Sequence, residues 1–416
     1  MPATQELRIG LVGYNFMGKA HTHAFRDAAL YFDLPLRPVL SVICGRDKKR
    51  TEAARQRFGF AHAETDYRKL VTRKDVDVVD IATPNAAHCE IAVAAARAGK
   101  HVVCEKPLAM NVDEARRMLF EVREAGVRHM VWFNYRRAPA LSFLREIVAA
   151  GELGEIHHFR ATYLQDWLLD PSFPLVWRLD RTQSGSGAHG DLNAHLVDLA
   201  RWIAGEIDEV VGVSKTFVKT RPLPAESAGL SGKGKSASRG EVTVDDATLF
   251  LARFRNGAVG SFESTRFAAG RKNHNRIEVN GSKGSAVFNL ERMNELELYK
   301  THDPETERGF RTILVTESAH PYIKAYWPPG HTIGYEHTFV NQAADLVKGI
   351  ADQSELRPDF EDGLRCQEVL DAVARSCEEN RWERVGLVPN AGSEPAAPAP
   401  RAAAAAGAGT GGRRRK

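Results

Sequence analysis

Short β-branched runs alternate with amphipathic stretches through the first third of the chain. That rhythm predicts a strand at Arg8–Gly13, a helix at Gly18–Leu30, a strand at Pro38–Cys44 and a helix at Lys48–Phe58. The run from Val76 to Ala82 is almost wholly apolar, as a parallel strand covered on both faces requires. A helix at His88–Ala98 stops at Gly99, and His101–Cys104 reads as the next strand. A helix at Asp113–Ala125 stops at Gly126, before one more strand at His129–Phe133. Alternation of this kind predicts an α/β fold with a doubly wound parallel sheet.

The rhythm changes after Tyr135. Helices are predicted at Pro139–Ala150, Gly190–Ala204, Tyr335–Gly349 and Phe360–Glu379, and a strand at Glu155–Gln165. Val210–Thr220, Asp246–Arg255, Val259–Thr265, Arg276–Gly281, Ala286–Asn289 and Leu296–Lys300 read as antiparallel strands, several separated by turn residues such as Asn256-Gly257. The chain therefore divides into a doubly wound α/β domain over 1–135 and an α+β domain over 136–385, built on one large, mostly antiparallel sheet. Pro222–Gly240 lacks apolar spacing and reads as a loop. Residues 386–416, dominated by Ala, Gly and Pro, read as a disordered tail.

Composition narrows the classes without naming a function. With 43% hydrophobic and 26% charged residues the chain is of ordinary globular make-up, and no apolar run approaches the ~20 residues of a membrane-spanning helix. Lys and Arg number 57 against 53 Asp and Glu, and part of the +4 balance is the closing cluster Arg413, Arg414, Arg415 and Lys416. The body is close to neutral, so charge makes no case for nucleic acid. Five scattered cysteines with no C-x-x-C pair predict neither a disulfide framework nor a metal site, and the N-terminus lacks the apolar core of a signal peptide. A cytoplasmic location is the expectation.

The strongest local signal is the turn Gly13-Tyr14-Asn15-Phe16-Met17-Gly18 between a predicted strand and a predicted helix. Gly13 would permit the tight turn, Gly18 the close helix–strand packing, and the pyrophosphate would lie over N–H groups at the helix start. The middle glycine of the usual fingerprint is replaced by Asn15, a residue that tolerates left-handed backbone. The ribose preference should be written at Gly45-Arg46-Asp47: Arg46 favours NADP and Asp47 keeps NAD open, so NAD or NADP is undecided. Lys106, in Cys104-Glu105-Lys106-Pro107 at the end of a parallel strand, is placed to stabilise charge on a reacting oxygen. Pro107 would hold a bend, through a cis bond. On a helix starting near Gly190, Asp191 and His195 are i and i+4, a spacing at which the carboxylate could orient the imidazole as a general base.

Together these segments resemble the Gfo/Idh/MocA oxidoreductases. The resemblance spans about residues 7–385 and rests on the Gly13–Gly18 turn, Ala82-Thr83-Pro84-Asn85, Glu105-Lys106-Pro107, Phe133-Asn134-Tyr135-Arg136 and Gly190-Asp191 through His195. Within the family, Tyr163–Trp167, Trp177-Arg178 and Gly185–Ala188 look most like its levoglucosan- and inositol-dehydrogenase-like members. The resemblance implies a catalytic set of Lys106, Asp191 and His195. It places Thr83, Pro84, Asn85, Glu105 and Asn134 at the nicotinamide end, with His88 also toward the cofactor. Tyr163, Gln165, Asp166 and Arg178 would face the sugar, with Asn273 and His274 nearby. It also implies that residues 1–135 form a dinucleotide-binding Rossmann domain and that the sheet of 136–385 is open-faced and makes dimer or tetramer contacts. His189 stands where the family has a leucine-like residue.

The leading expectation is thus an NAD(P)-dependent dehydrogenase that oxidises a secondary hydroxyl of a sugar, anhydrosugar, glycoside or inositol. The same chemistry run backwards, an NADPH-dependent keto-sugar reductase, is the alternative that Arg46 favours. A dinucleotide-sensing regulator on this scaffold would have no need of the proton-transfer set.

Overall fold

The computed structural model describes residues 5–224 and 238–386. The predicted tail from 387 onward, with its basic cluster, and the middle of the predicted Pro222–Gly240 loop lie outside the described residues.

The first sheet contains β1 (Glu6–Val12), β2 (Arg37–Cys44), β3 (His62–Glu64), β4 (Val78–Ile81), β5 (His101–Cys104) and β6 (His129–Val131). Their order is β3-β2-β1-β4-β5-β6 and every pairing is parallel. The chain reverses direction across the sheet between β1 and β4, which opens a crevice at the C-terminal strand edge. The loops that leave β1, β4, β5 and β6 at that edge carry the Gly13–Gly18 turn, Thr83–Asn85, Glu105-Lys106 and Asn134. Intervening helices α1 (Phe16–Tyr31), α2 (Lys48–Phe58), α3 (Tyr67–Val71), α4 (His88–Arg97) and α5 (Val112–Glu124) connect the strands. β3 and α3 have no counterpart in the sequence pattern because each is too short to show a period.

The remaining helices are α6 (Pro139–Ala149), α7 (Arg181–Ser184), α8 (Ala194–Ala204), α9 (Tyr335–Ala351) and α10 (Phe360–Glu379). The second sheet is assembled from β7 (Ile156–Leu164), β8 (Ile207–Lys215), β11 (Ala247–Phe254), β12 (Val259–Thr265), β13 (His274–Gly281), β14 (Gly284–Asn289), β15 (Glu295–Lys300), β16 (Arg311–Leu314) and β17 (Glu383–Arg384), while β9 (Thr220–Pro222) and β10 (Arg239–Glu241) form a separate two-stranded ribbon. One pairing departs from the antiparallel expectation: β7 and β12 run parallel. The predicted strand Val210–Thr220 is also cut short. Asp246 accepts the backbone N–H groups of Phe217 and Val218 at 2.7 and 3.1 Å, which turns the chain away after Lys215. The ends of the expected Pro222–Gly240 loop pair in the β9–β10 ribbon. Helix α10 packs on β8 and on α5, and α9 packs on α1, so the closing helices hold the Rossmann layer from its two opposite faces.

Candidate active site

The glycine turn is built by close approach. Gly13 has φ +106°, and a Cβ there would lie 2.4 Å from the Ala82 carbonyl oxygen; a Cβ on Gly18 would lie 2.2 Å from the Gly13 oxygen. Asn15 is not left-handed, as its identity allowed: it precedes α1 at φ −79°, and its Oδ1 faces Arg50 Nη2 at 3.4 Å. The first turn of α1, with exposed Phe16 and half-buried Met17, has neither a side-chain cap nor an acidic residue, and Thr83 Oγ1 beside Gly13 is buried with no partner among the described residues. A narrow glycine cradle, uncapped N–H groups and an unspent hydroxyl fit a dinucleotide pyrophosphate.

At the end of β2, a Cβ on Gly45 would lie 2.0 Å from the Tyr14 ring, so Tyr14 occupies the space of the usual acidic side chain. Asp47 accepts the Arg50 N–H at 2.9 Å and caps α2, whereas Arg46 is exposed with no acceptor among the described residues. Asn85 donates to the Ser184 oxygen at 2.9 Å, following Pro84, and Asn134 donates to Thr338 Oγ1 at 2.8 Å. His88, expected toward the cofactor, is fully buried, and its two ring nitrogens sit 3.1 Å from the Thr83 and Pro107 carbonyl oxygens, where it braces two loops.

Lys106 follows β5 and precedes a cis peptide to Pro107. Its Nζ donates to Asp191 Oδ1 at 2.8 Å and to the Asp191 carbonyl oxygen at 2.9 Å. An ammonium has three donors, so one remains for a substrate oxygen. The other Asp191 oxygen accepts from Arg266 Nη2 at 2.7 Å. Burial opposes ionisation of Asp191, yet Lys106, Arg266 and Arg178 together hold its carboxyl well below the usual range.

Asp191 reaches this position through a π-helical turn, His189–Asn193, before α8 begins. Asp245 accepts the N–H groups of Gly187 and His189 at 2.7 and 2.8 Å, and a Cβ on Gly187 would meet the Asp245 oxygen at 1.8 Å. The wider turn breaks the simple i, i+4 relation. Asp191 makes no hydrogen bond to His195, both its oxygens being committed to Lys106 and Arg266. The expected carboxylate–imidazole couple is therefore replaced by a carboxylate–cation couple. His195 is held instead by aromatic rings: Tyr135 at 4.4 Å between centroids, Tyr163 at 5.9 Å and Phe133 at 6.3 Å. Burial and the Lys106 charge keep its imidazole well below its ordinary value, with Asp191 pulling weakly the other way. A neutral ring next to an ammonium can accept a proton. His189, ambiguous in sequence, is a brace: its Nε2 lies 2.8 Å from the Leu370 oxygen.

The sugar-facing candidates divide. Tyr163 hydroxyl is 2.7 Å from that of Tyr135 and donates to Asn273 Oδ1 at 2.8 Å; Gln165 donates to the same oxygen at 2.9 Å. Arg178 lies over the Trp177 ring at 4.4 Å, close enough for Asp191 to act on it. Asp166 and His274 are turned to other tasks. Asp166 binds Lys272 Nζ at 2.6 Å and the Gly270 N–H at 3.1 Å, and His274 pairs with Glu291 at 3.2 Å. Neither touches Lys106, Asp191 or His195. Arg266, absent from every sequence motif, is fully buried under the Trp167 ring at 5.3 Å. No spacing marks it, because it meets Asp191 only through the fold.

Residues 7–133 match the model described as the oxidoreductase family, NAD-binding Rossmann fold, and residues 142–287 match the GFO/IDH/MocA C-terminal domain. The chain is 43% identical over 382 residues to levoglucosan dehydrogenase of Pseudarthrobacter phenanthrenivorans, covering 91% of this chain and 98% of that protein. It is 51% identical to an oxidoreductase domain protein of Kribbella flavida, with a TM-score of 0.87 over 92% of this chain and 99% of that one. A levoglucosan dehydrogenase in complex with NADH and levoglucosan is 42% identical, with a TM-score of 0.87 over 92% of this chain and all (100%) of that one. With both of its sheets and its glycine turn accounted for, the chain belongs to the GFO/IDH/MocA oxidoreductase family.

Proposed function

We propose that the protein is an NAD(P)-dependent dehydrogenase that oxidises a secondary hydroxyl of an anhydrosugar of the levoglucosan type, a related sugar or glycoside, or an inositol. The observation that carries this reading is the meeting of a donor-rich Lys106, a clamped Asp191 and a neutral His195 at the crevice edge. The bound nicotinamide supplies the hydride acceptor at C4. The substrate loses a hydride from carbon and a proton from oxygen, and its C–O single bond becomes C=O. His195 takes the hydroxyl proton and passes it to solvent. Lys106 holds the oxygen through its remaining N–H and stabilises its alkoxide character. Asp191 fixes Lys106, and Arg266 fixes Asp191. Tyr163, Gln165, Asn273 and Arg178 supply hydrogen-bonding groups for the other hydroxyls, with Trp167 nearby as an aromatic face. Glu105, Thr83, Pro84, Asn85 and Asn134 are assigned to the nicotinamide end, and Gly13–Gly18 to the pyrophosphate.

Initial rates of dinucleotide reduction with levoglucosan, glucose, glucosides and inositols test this assignment; no reduction with any of them, despite dinucleotide binding, would overturn it. Because His195 stays neutral, kcat/KM is expected to show no acid limb at the ordinary imidazole value of ~6.5. A fall centred there would contradict the role given to that ring. Replacing Arg46 by Ala is expected to weaken NADPH binding selectively, and titrations with NADH and NADPH check it. Equal loss for both would mean that Arg46 does not read a 2′-phosphate.

We assign the outer face of the second sheet to self-association, as a homodimer or homotetramer. Val213, Leu249, Leu251 and Val259 occupy outward strand positions, and they are 42–61% exposed beside Trp382. Clustered apolar surface of this kind marks an interface. Light scattering on the eluted protein decides this point. Among the described residues no helix is long and apolar enough to cross a membrane. All five cysteines are free, which suits the reducing cytoplasm assigned to this protein.

A further inference from the structure

Strand β4 is buried along its whole length, yet its third residue is Asp80. A lone carboxylate there would be costly, and two neighbours relieve it. Trp132 Nε1 donates to Asp80 Oδ1 at 2.8 Å, and His21 Nδ1 lies 3.1 and 3.0 Å from the two Asp80 oxygens. The other ring nitrogen of His21 is 2.9 Å from Glu105 Oε1. An imidazole set between two carboxylates donates to both only when doubly protonated. His21 is fully buried, stacked on Trp132 at 4.3 Å and flanked by Phe339 at 5.6 Å. Burial works against its charge, but Asp80 and Glu105 outweigh that and push the ring up to about 9. The second Glu105 oxygen accepts the backbone N–H of Lys106 at 3.1 Å. Two carboxylates and one imidazolium leave one net negative charge, in a chain of contacts that ends on the peptide of Lys106.

We propose that the buried Asp80–His21–Glu105 unit is a fixed negative charge that shifts the site's binding toward the oxidised, cationic nicotinamide relative to the reduced one. This inference rests on the cofactor reading above, with the nicotinamide beside Glu105 and Lys106. Hydride transfer removes the positive charge of the ring, so a fixed anion stabilises only the oxidised form. Neither Asp80 nor His21 has surface with which to touch a ligand, and both therefore act through charge and through Glu105. At an effective dielectric constant of ~20 and a separation on the order of 10 Å, one unit charge changes the relative affinity roughly tenfold.

The test is direct titration of the wild-type protein and of the double variant Asp80→Asn, Glu105→Gln with the oxidised and reduced forms of the preferred dinucleotide. In the double variant no protonation state of His21 restores a negative charge. The ratio of Kd for the oxidised form to Kd for the reduced form is expected to rise roughly tenfold. An unchanged ratio, including parallel weakening of both forms, would show a merely structural unit and overturn the inference while leaving the function intact. Should the double variant lack a cooperative melt, the triple variant His21→Gln, Asp80→Asn, Glu105→Gln, whose three side chains are neutral at every pH, carries the same test. Wild-type protein that binds neither form would overturn the cofactor reading, and this inference with it.

Discussion

Replacing Lys106 by Ala is expected to lower kcat/KM by more than ~100-fold while dinucleotide binding stays nearly unchanged. The ammonium has two of its donors on Asp191, at 2.8 and 2.9 Å, and those contacts fix the direction of the third. In the role proposed for it, this ammonium stabilises charge on the substrate oxygen, and that charge develops most fully as hydride leaves. The loss should therefore fall mainly on kcat rather than on KM. The substitution also strips the Asp191–Arg266 pair of its outer cation. Steady-state kinetics together with a dinucleotide titration check both halves of the prediction. An alanine variant with near wild-type turnover would remove Lys106 from the chemistry. Equal collapse of dinucleotide affinity would make it a cofactor ligand instead.

The second large effect is on stability. Arg136 and Asp198 are buried, with exposures of 3% and 1%, and are joined by two hydrogen bonds of 2.9 and 2.5 Å. Asp198 lies one helical turn beyond His195 on α8, and Arg136 belongs to the turn that carries Asn134. The pair thus ties the helix that carries His195 to the turn that carries Asn134. Asp198→Ala leaves the guanidinium with Asp362 at 3.5 Å as its nearest remaining carboxylate. Stripping one partner from a buried ion pair costs about 3–5 kcal/mol. Thermal and denaturant unfolding of Asp198→Ala should show a loss of that order, whereas a change below ~1 kcal/mol would mean that Asp362 and water replace the lost partner.

Much of this architecture is legible in the sequence because the signals are local. Helix α2 occupies its predicted span because Asp47 caps its start and Gly59 closes it in left-handed backbone, both readable from neighbouring residues. Strand β5 is likewise bounded by Gly99-Lys100 and by the Glu105-Lys106-Pro107 bend. Lys106, Asp191 and His195 were within reach of motif reasoning, but their connectivity was not. The π-helical turn that re-aims Asp191 depends on Asp245, remote in sequence, and on the absence of a side chain at Gly187. Arg266 lies just beyond β12 with nothing around it to distinguish it from a surface arginine. His21 carried a weak signal, a histidine three residues after Gly18 on a helix whose buried face is otherwise small or apolar. What makes it an imidazolium is a carboxylate on β4 and another after β5, partners that only the parallel sheet brings together.

Reduction of the preferred dinucleotide, followed by absorbance, with levoglucosan and the inositols as substrates tests the central claim most directly. Wild-type protein should turn over at least one of these polyols, and Lys106→Ala protein that still binds the dinucleotide should turn over none. Dinucleotide binding with no reduction by any polyol, or turnover that survives loss of Lys106, would contradict the claim.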